Sequence, residues 1–353
     1  MIDEAAFIQT IREHPDDDGP RLVFADWLEE RGQCERAEFI RVQIELARGV
    51  ADPVRRQSLH ALEESLLSKH ARIWARSIGK WIIGWDFHRG LLAGIQIRCN
   101  DFVRHGDRLF DRAPIMKVRP NHLPDDLTAL ANCRALGRVR DLDLSAGNFH
   151  AQELQPILDS PYVKQLRLLD LGTVRIHLEG AVALFHSLNL QALKALDLSS
   201  IGLRGAWPRE CPRLPNLIDL NLASNEIEDR GAIALVRSPI VVGLQRLNLS
   251  HCRIYARGAA AVARSKRLAD LTNLDLSANA IGDAGAESLA NSRLLNGLES
   301  LSLRDCDIGW AGAKAIAQSQ MLEGLKHLDL SGNRLNSRQQ NRLELRFGSR
   351  VKF

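Results

Sequence analysis

Eight pairs of leucines recur at a nearly constant spacing along the C-terminal two-thirds of the chain. The second leucine of each pair falls at position 144, 171, 198, 222, 249, 276, 303 and 330, so every step is 27 residues except the 24 between 198 and 222. One residue separates the two leucines of a pair, and this period of two indicates a short strand with both leucines on one side. So regular a register predicts repeated units that stack on one another rather than one irregular core.

Each strand is expected to be followed by a helix. The helical segments of three units are EDRGAIALV (228–236), GDAGAESLA (282–290) and GWAGAKAIA (309–317), which share a Gly-Ala step and apolar residues at helical spacing. Asp229 and Asp283 are placed to cap these helices or to favour their first turn. A single unit cannot bury its leucines alone, so stacking predicts a parallel sheet on the concave side and helices on the convex side.

The shorter step before Leu222 contains GAWPRECPRLP (205–215), with three prolines. Proline is unfavourable inside a helix, so an extended or 3₁₀ segment is predicted in place of the convex helix. Two interpretations stay open, a tolerated deletion and a bulge that contacts a partner.

The five best copies also share a residue three positions after the second leucine. These residues are Asn225, Cys252, Asn279, Cys306 and Asn333. The pattern LxxLxLxxN/C resembles the leucine-rich-repeat family, and specifically its ribonuclease-inhibitor-like subclass. The resemblance implies an α/β fold, a right-handed solenoid in which the Asn or Cys side chain bonds to turn backbone. Gly147, Val174 and Ile201 occupy this position in the first three copies, which depart from the pattern.

The N-terminal residues predict a small all-α module. Apolar periodicity suggests helices near its start, after PDDDGP (15–20), over 35–49 and over 54–77, with Asp18 as the cap of the second. The segments 3–32 and 36–43 resemble the "repeat-companion" domain of planctomycete and some myxobacterial proteins, which precedes repeat regions and implies a bacterial source but no activity. The acidic run 15–18 is interpreted as a helix start rather than a cation site.

The chain is therefore expected to have four parts. Residues 1–80 form the helical module, and 81–138 form an N-terminal cap with divergent repeats, with strands over 90–99 and 114–120 and a helix near 107–113. Residues 139–335 hold eight repeats, and 336–353 form a C-terminal cap with a helix and a strand around Val351. Arginines recur every four residues from 334 to 350, either as a solvated cap face or as a contact for an acidic partner or nucleic acid.

Nothing in the sequence predicts catalysis. The chain lacks GxxxxGK[ST], HExxH and GxSxG motifs, and its 11 histidines are scattered without metal-ligand spacing. We therefore expect no enzyme, no cofactor and no metal. The 6 cysteines are widely spaced, which predicts reduced thiols in a cytoplasmic protein, and neither a signal peptide nor a membrane span is expected. A net charge of +4 does not by itself predict nucleic-acid binding.

The predicted binding surface is the concave face, where polar residues lie beside the strand leucines. It consists of Asp141, Asp143, Asp170, Asp197, Asp219, Asn221, Arg246, Asn248, Asn273, Asp275, Ser302, Arg304, His327 and Asp329. One interpretation is that these aspartates are solvated strand residues common to the family. The other is a strip that binds a protein partner with a basic or polar surface, which makes the chain a monomeric interaction or scaffold protein.

Two alternative functions remain open at this stage. The first is regulation of an enzyme such as a small GTPase, which rests on resemblance to repeat proteins that activate GTPases, although no catalytic arginine is identifiable. The second is nucleic-acid binding through the basic segments Arg55–Lys80 and Arg334–Lys352. The acidic concave strip argues against nucleic acid lying on the sheet itself.

Overall fold

A computed structural model describes residues 4–145, 147–205, 207–208 and 211–353. The chain divides into two compact units. The first unit runs to Asp143, apart from Asp125–Leu127, and the second holds Leu144–Phe353 together with that short segment. We describe each unit by itself.

The first unit begins with the four helices that the sequence predicts. They are α1 Glu4–Glu13, α2 Gly19–Glu29, α3 Cys34–Arg48 and α4 Pro53–Ile78. Asp18 is the N-cap residue of α2, as predicted, but its side chain makes no capping hydrogen bond. Its carboxylate is paired instead with Arg48 and Arg89, each at 2.9 Å. These ion pairs connect the acidic loop to α3 and to a later turn, so the loop has a structural role.

Strands and further helices complete the first unit. They are β1 Ile82–His88, β2 Leu91–Arg98, α5 Cys99–Arg112, β3 Lys117–Asn121, α6 Thr128–Ala131 and β4 Asp141–Asp143. β1 and β2 are antiparallel, whereas β2, β3 and β4 are parallel. The sequence predicted β2 and β3 but missed β1, because its side chains do not alternate cleanly between buried and exposed.

The helical module shares its core with the β1–β2 hairpin. Ile8, Phe24 and Ile40 belong to one buried cluster with Leu91 of β2. The hairpin turn lies directly against α3, because a Cβ atom on Gly90 would lie 2.2 Å from the Cα of Ile40. Gly90 also has a φ of +81° and donates its N–H to the side chain of Gln43 at 2.6 Å. The close approach and the backbone conformation both require glycine here.

The second unit is built from parallel strands that follow one another in chain order. The strands are β5 Leu168–Asp170, β6 Ala195–Asp197, β7 Asp219–Asn221, β8 Arg246–Asn248, β9 Asn273–Asp275, β10 Ser300–Ser302, β11 His327–Asp329 and β12 Val351–Lys352. Its helices are α7 Ala151–Asp159, α8 His177–His186, α9 Glu228–Leu235, α10 Ala256–Ala263, α11 Gly282–Ala290, α12 Trp310–Gln318 and α13 Ser337–Phe347. The strand leucines are buried, as predicted. This is the α/β solenoid that the repeat register predicts.

Between β6 and β7 the described residues contain no α-helix, in agreement with the prediction for the proline-rich step. Ala206, Arg209 and Glu210 of that segment lie outside the described residues. Trp207 is 4% exposed, and its ring centroid lies 5.6 Å from that of Phe185 in α8. A large aromatic side chain therefore covers part of the core that a helix covers in other repeats.

The Asn and Cys side chains that recur in the turns bind the turn backbone from inside the solenoid. Asn279 accepts the backbone N–H groups of Cys252 at 3.0 Å and Ile254 at 2.9 Å, and it donates to the carbonyls of Leu249 and Leu276. The thiol of Cys252 donates to the carbonyl of Leu222 at 3.2 Å. Asn225, Asn333 and Cys306 repeat these contacts in their own turns. Each side chain thus joins neighbouring repeats, as the family resemblance implies.

Asp229 and Asp283 lie in the first turn of their own helices, as predicted, but each side chain caps the next helix. Asp283 lies in the first turn of α11, but its Oδ1 accepts the N–H groups of Gly309 at 2.7 Å and Gly312 at 2.9 Å. Asp229 of α9 does the same for Tyr255 and Gly258. The sequence identifies a capping residue correctly, but it cannot say which neighbouring helix the carboxylate reaches.

A second ladder of side chains, which the sequence analysis missed, follows the helices. Ser187, Ser265, Ser292 and Ser319 are buried, and each hydroxyl donates to a backbone carbonyl of the preceding repeat. Cys211 stands at the corresponding place in the short repeat, 24 residues after Ser187 and 27 before Ser238. Its thiol interacts with the side chain of Ser238.

The C-terminal cap consists of α13 and β12, as predicted. Arg346 donates to the carbonyl of Ser319 at 2.8 Å, and Arg350 donates to that of Leu325 at 2.9 Å. Arg334 is paired with Asp307 at 2.9 Å. Three of the recurring arginines therefore bind the last repeats, which supports their interpretation as a cap rather than as a free cationic surface.

Candidate binding surface on the strands

Two rows of polar side chains flank the buried leucines of the second unit. The leading row holds the first residue of each of five strands, namely Asp219, Arg246, Asn273, Ser300 and His327. The trailing row holds the third residue of each strand, namely Asp170, Asp197, Asn221, Asn248, Asp275, Ser302 and Asp329. Neighbouring strands pair in register, so each row crosses them in a line. We call this side of the sheet, opposite the helices, the concave face.

The trailing row has a structural role in the turn after each strand. Asp170, Asp275 and Asp329 each accept, through Oδ1, the backbone N–H two residues later, at 2.8–2.9 Å. Asn221 and Asn248 make the same contact with an amide oxygen. Such turns need a short side chain with an acceptor oxygen, which Asp and Asn supply equally well. The turn therefore explains the side-chain oxygen but not the negative charge.

Part of the aspartate strip is paired with cations or hydrogen-bonded within the structure. Asp219 is paired with Arg246 of the next strand at 2.7 Å. The second oxygen of Asp197 accepts from the side chain of Asn221 at 2.7 Å, and Asp329 lies 3.7 Å from Lys352. In the part of the chain that the structure describes, Asp275 forms no ion pair. Fewer aspartates on this face are therefore without a cationic partner than the sequence suggests.

The remaining predicted residues differ in how exposed they are and in whether they are paired. Arg304 is exposed and paired with Asp305 at 3.1 Å, and His327 is exposed on β11. Asp141 and Asp143 belong to the first unit. Asp143 is only 1% exposed and its carboxylate is paired with Arg119. We therefore leave Asp141 and Asp143 out of the surface considered below.

The described residues contain no group of three or more His, Cys, Asp and Glu side chains that could hold a metal ion. No helix among them combines the length and apolar character that crossing a membrane needs. Burial raises the pKa of the Cys211, Cys252 and Cys306 thiols to about 12, so these sulfurs stay protonated and poorly nucleophilic near neutral pH.

Two models of known repeat families match this chain, both in the regular part of the second unit. A model described as "Leucine Rich repeat" matches residues 213–236, 244–263, 268–290 and 297–317, and a second repeat model matches 324–344. Leucine-rich repeats are thus present over the segment where the register, the strands and the Asn/Cys ladder agree. A search of curated proteins gives no match.

Solved structures with the same kind of fold are distant in sequence. An internalin (inlF) from Listeria monocytogenes shows 18% identity and a TM-score of 0.33, covering 68% of this chain and 79% of its own. The mouse RP105/MD-1 complex shows 17% identity and a TM-score of 0.44 over 68% of this chain. The match spans 42% of the mouse chain. At this distance the likeness concerns the fold alone.

Proposed function

We propose that the protein is a non-catalytic interaction or scaffold protein that binds a protein partner on the concave face of its leucine-rich repeats. The observation that carries the proposal is the two polar rows, the trailing row on β5 to β11 and the leading row on β7 to β11, in register over a core of leucines. Seven strands at about 4.8 Å per step give a surface about 29 Å wide. A standard interface of about 800 Å² per partner fits on such a surface.

Acidic and basic side chains are interspersed along this face, which bears on the partner. Asp170 and Asp275 carry carboxylates whose charge the turn does not require, whereas the cations of Arg246 and Arg304 are each paired with an acidic side chain. A partner with a basic patch flanked by polar groups complements this distribution. Electrostatic complementarity of this kind sets partner choice and association rate more than the affinity itself.

The test uses the fact that Asp and Asn support the same turn. We expect the double variant Asp170→Asn with Asp275→Asn to remain folded, because Asn248 already makes this turn in the wild type. Asp197 is left unchanged, because its second oxygen accepts from Asn221 and an amide there would set two donors against each other. Affinity capture from the native lysate, quantified by mass spectrometry, should show the main partner reduced about tenfold.

A matched control removes the same charge elsewhere. Asp270 and Glu323 are exposed and lie outside the strands, so Asp270→Asn with Glu323→Gln should leave capture unchanged. Equal capture by the wild type and by the strand variant would contradict the concave-face assignment. Unchanged thermal unfolding of both variants checks that the comparison concerns the surface.

Three finer assignments belong to the same proposal. We infer the ribonuclease-inhibitor-like subclass from the alternation of Asn and Cys in the turns. We assign residues 1–80 to the repeat-companion type, of bacterial origin, on the sequence resemblance alone. A cytoplasmic location is supported by the six cysteines, all of which are free thiols. Detection of the native protein in the soluble cytoplasmic fraction, by an antibody after cell fractionation, tests the location.

A further inference from the structure

A cationic groove lies between α9 and α10, on the helix side of the second unit. Its volume is about 590 Å³, and it is lined by five basic side chains and no acidic one. The basic residues are Arg237, Arg257, Arg264, Lys266 and Arg267, all of them exposed. Within the described residues none of the five forms an ion pair, although the structure contains many pairs elsewhere.

The groove owes its shape to the spacing of residues on α10. Arg257, Ala260, Ala261 and Arg264 follow the i, i+3, i+4, i+7 pattern and share one helix face. The two alanines leave room at the centre, and the arginines stand at the two ends. Ile233 and Val236 of the α9 segment supply an aliphatic wall. The result is an apolar floor with cations at its margins.

Both arginine positions are filled in these two helices, whereas α13 carries only the first of them, as Arg338. Arg230 and Arg237 precede Arg257 and Arg264 by one repeat of 27 residues. The same positions in α11 and α12 carry Ala284, Asn291, Ala311 and Gln318. A common requirement of the fold therefore does not account for the charge.

The helix dipoles favour two of these arginines and disfavour a third. Arg237 and Arg264 lie at helix C-termini, where a cation interacts favourably with the helix dipole. Arg257 lies in the first turn of α10, where a cation interacts unfavourably with the same dipole. Repulsion among the five cations adds to this cost. An anionic occupant would remove both penalties.

We propose that this groove binds an acidic peptide segment of a partner protein, with carboxylates on the arginines and one apolar side chain on the alanine floor. Charge complementarity demands an anion, and the aliphatic floor demands an apolar group beside it. No aromatic residue lines the groove, so base stacking, which dominates single-stranded nucleic-acid binding, has no platform here. The groove lies on the helix side, so this proposal does not depend on whether the concave face binds a partner.

The test measures fluorescence polarisation with a short labelled peptide of glutamates around one central leucine. The wild type should bind this peptide, and Arg257→Glu with Arg264→Glu should weaken binding at least about tenfold. The same peptide with glycine in place of leucine should also bind more weakly. Lys314→Glu with Arg338→Glu changes the net charge equally on exposed positions of α12 and α13 and should bind as the wild type does.

Several results would overturn the proposal. One is no measurable binding of the leucine peptide at low ionic strength, and another is equal loss in the control variant. Tighter binding of a single-stranded oligonucleotide than of the peptide, lost in the groove variant, would assign the groove to nucleic acid. Self-association that disappears in the groove variant, without peptide binding, would assign it to a second copy of the chain.

Discussion

Asp283 in α11 accepts the backbone N–H of Gly312 in α12 at 2.9 Å, across the boundary between two repeats. The same oxygen also accepts from Gly309, so one carboxylate satisfies two of the N–H groups that the start of α12 leaves without an intrahelical partner. Helix capping and repeat stacking are therefore a single interaction here. Glycine at 312 permits it, because a Cβ atom there would lie 2.8 Å from Oδ1 of Asp283.

We expect Asp283→Ala to lower the free energy of unfolding by about 1–2 kcal/mol, the usual cost of losing an N-cap. Asp283→Asn keeps the acceptor oxygen and should cost less. Glu287→Ala removes an exposed carboxylate from the same helix and serves as the control. Urea denaturation followed by circular dichroism measures all three. Equal midpoints for Asp283→Ala and Glu287→Ala would show that the cap contributes nothing.

The serine ladder gives a second stability prediction. Ser265 is 7% exposed, and its hydroxyl donates to the carbonyl of Val236 at 3.0 Å. We expect Ser265→Ala to cost about 1 kcal/mol, because the carbonyl is left without this donor in a buried place. The hydroxyl of Ser288 is exposed and bonds within its own helix, so Ser288→Ala should change stability by only a few tenths of that amount. Similar losses in both variants would contradict the ladder.

The buried thiols predict an unusual dependence of stability on pH. The pKa of Cys252 and that of Cys306 are raised to about 12 by burial, whereas an unfolded thiol ionises near 8.5. Above that pH the unfolded chain loses protons that the folded chain keeps, so stability falls as pH rises. The expected loss is about 2 kcal/mol per thiol by pH 10.

Urea denaturation at pH 8 and pH 10 measures this loss. The variant Cys252→Ala with Cys306→Ala should lose about 4 kcal/mol less than the wild type between these two pH values. Only the difference between the two pH values matters, so a uniformly weaker variant remains informative. Identical losses in both proteins would show that these thiols ionise normally when folded.

The sequence predicted the strands well because one interaction, burial of leucine, fixes their positions. Side-chain contacts between neighbouring repeats were harder to predict from the sequence. Asp283 was assigned to its own helix, and the pairing of Asp219 with Arg246 went unnoticed, because both depend on how one repeat lies against the next. The 27-residue spacing of the serines is visible in the sequence. Their burial is not, because serine is common on protein surfaces and a single sequence does not distinguish a buried serine from an exposed one. The groove between α9 and α10 exists because Ala260 and Ala261 are small. The sequence alone does not show that these two alanines face the neighbouring helix.

The asparagines and cysteines in the turns alternate over the last five repeats. Asn225, Asn279 and Asn333 are 54 residues apart, and Asn279 satisfies the backbone of the preceding cysteine turn, where the thiol of Cys252 supplies only a donor. Asn225 makes the same contacts to the turn before it, which carries Ile201 in place of a cysteine. The asparagine alone therefore fastens one repeat to the preceding one, and the cysteine of the alternate turns adds one further donor. Repeats fastened in this way are joined along their turns as well as through their leucines, so the solenoid resists bending where each strand ends.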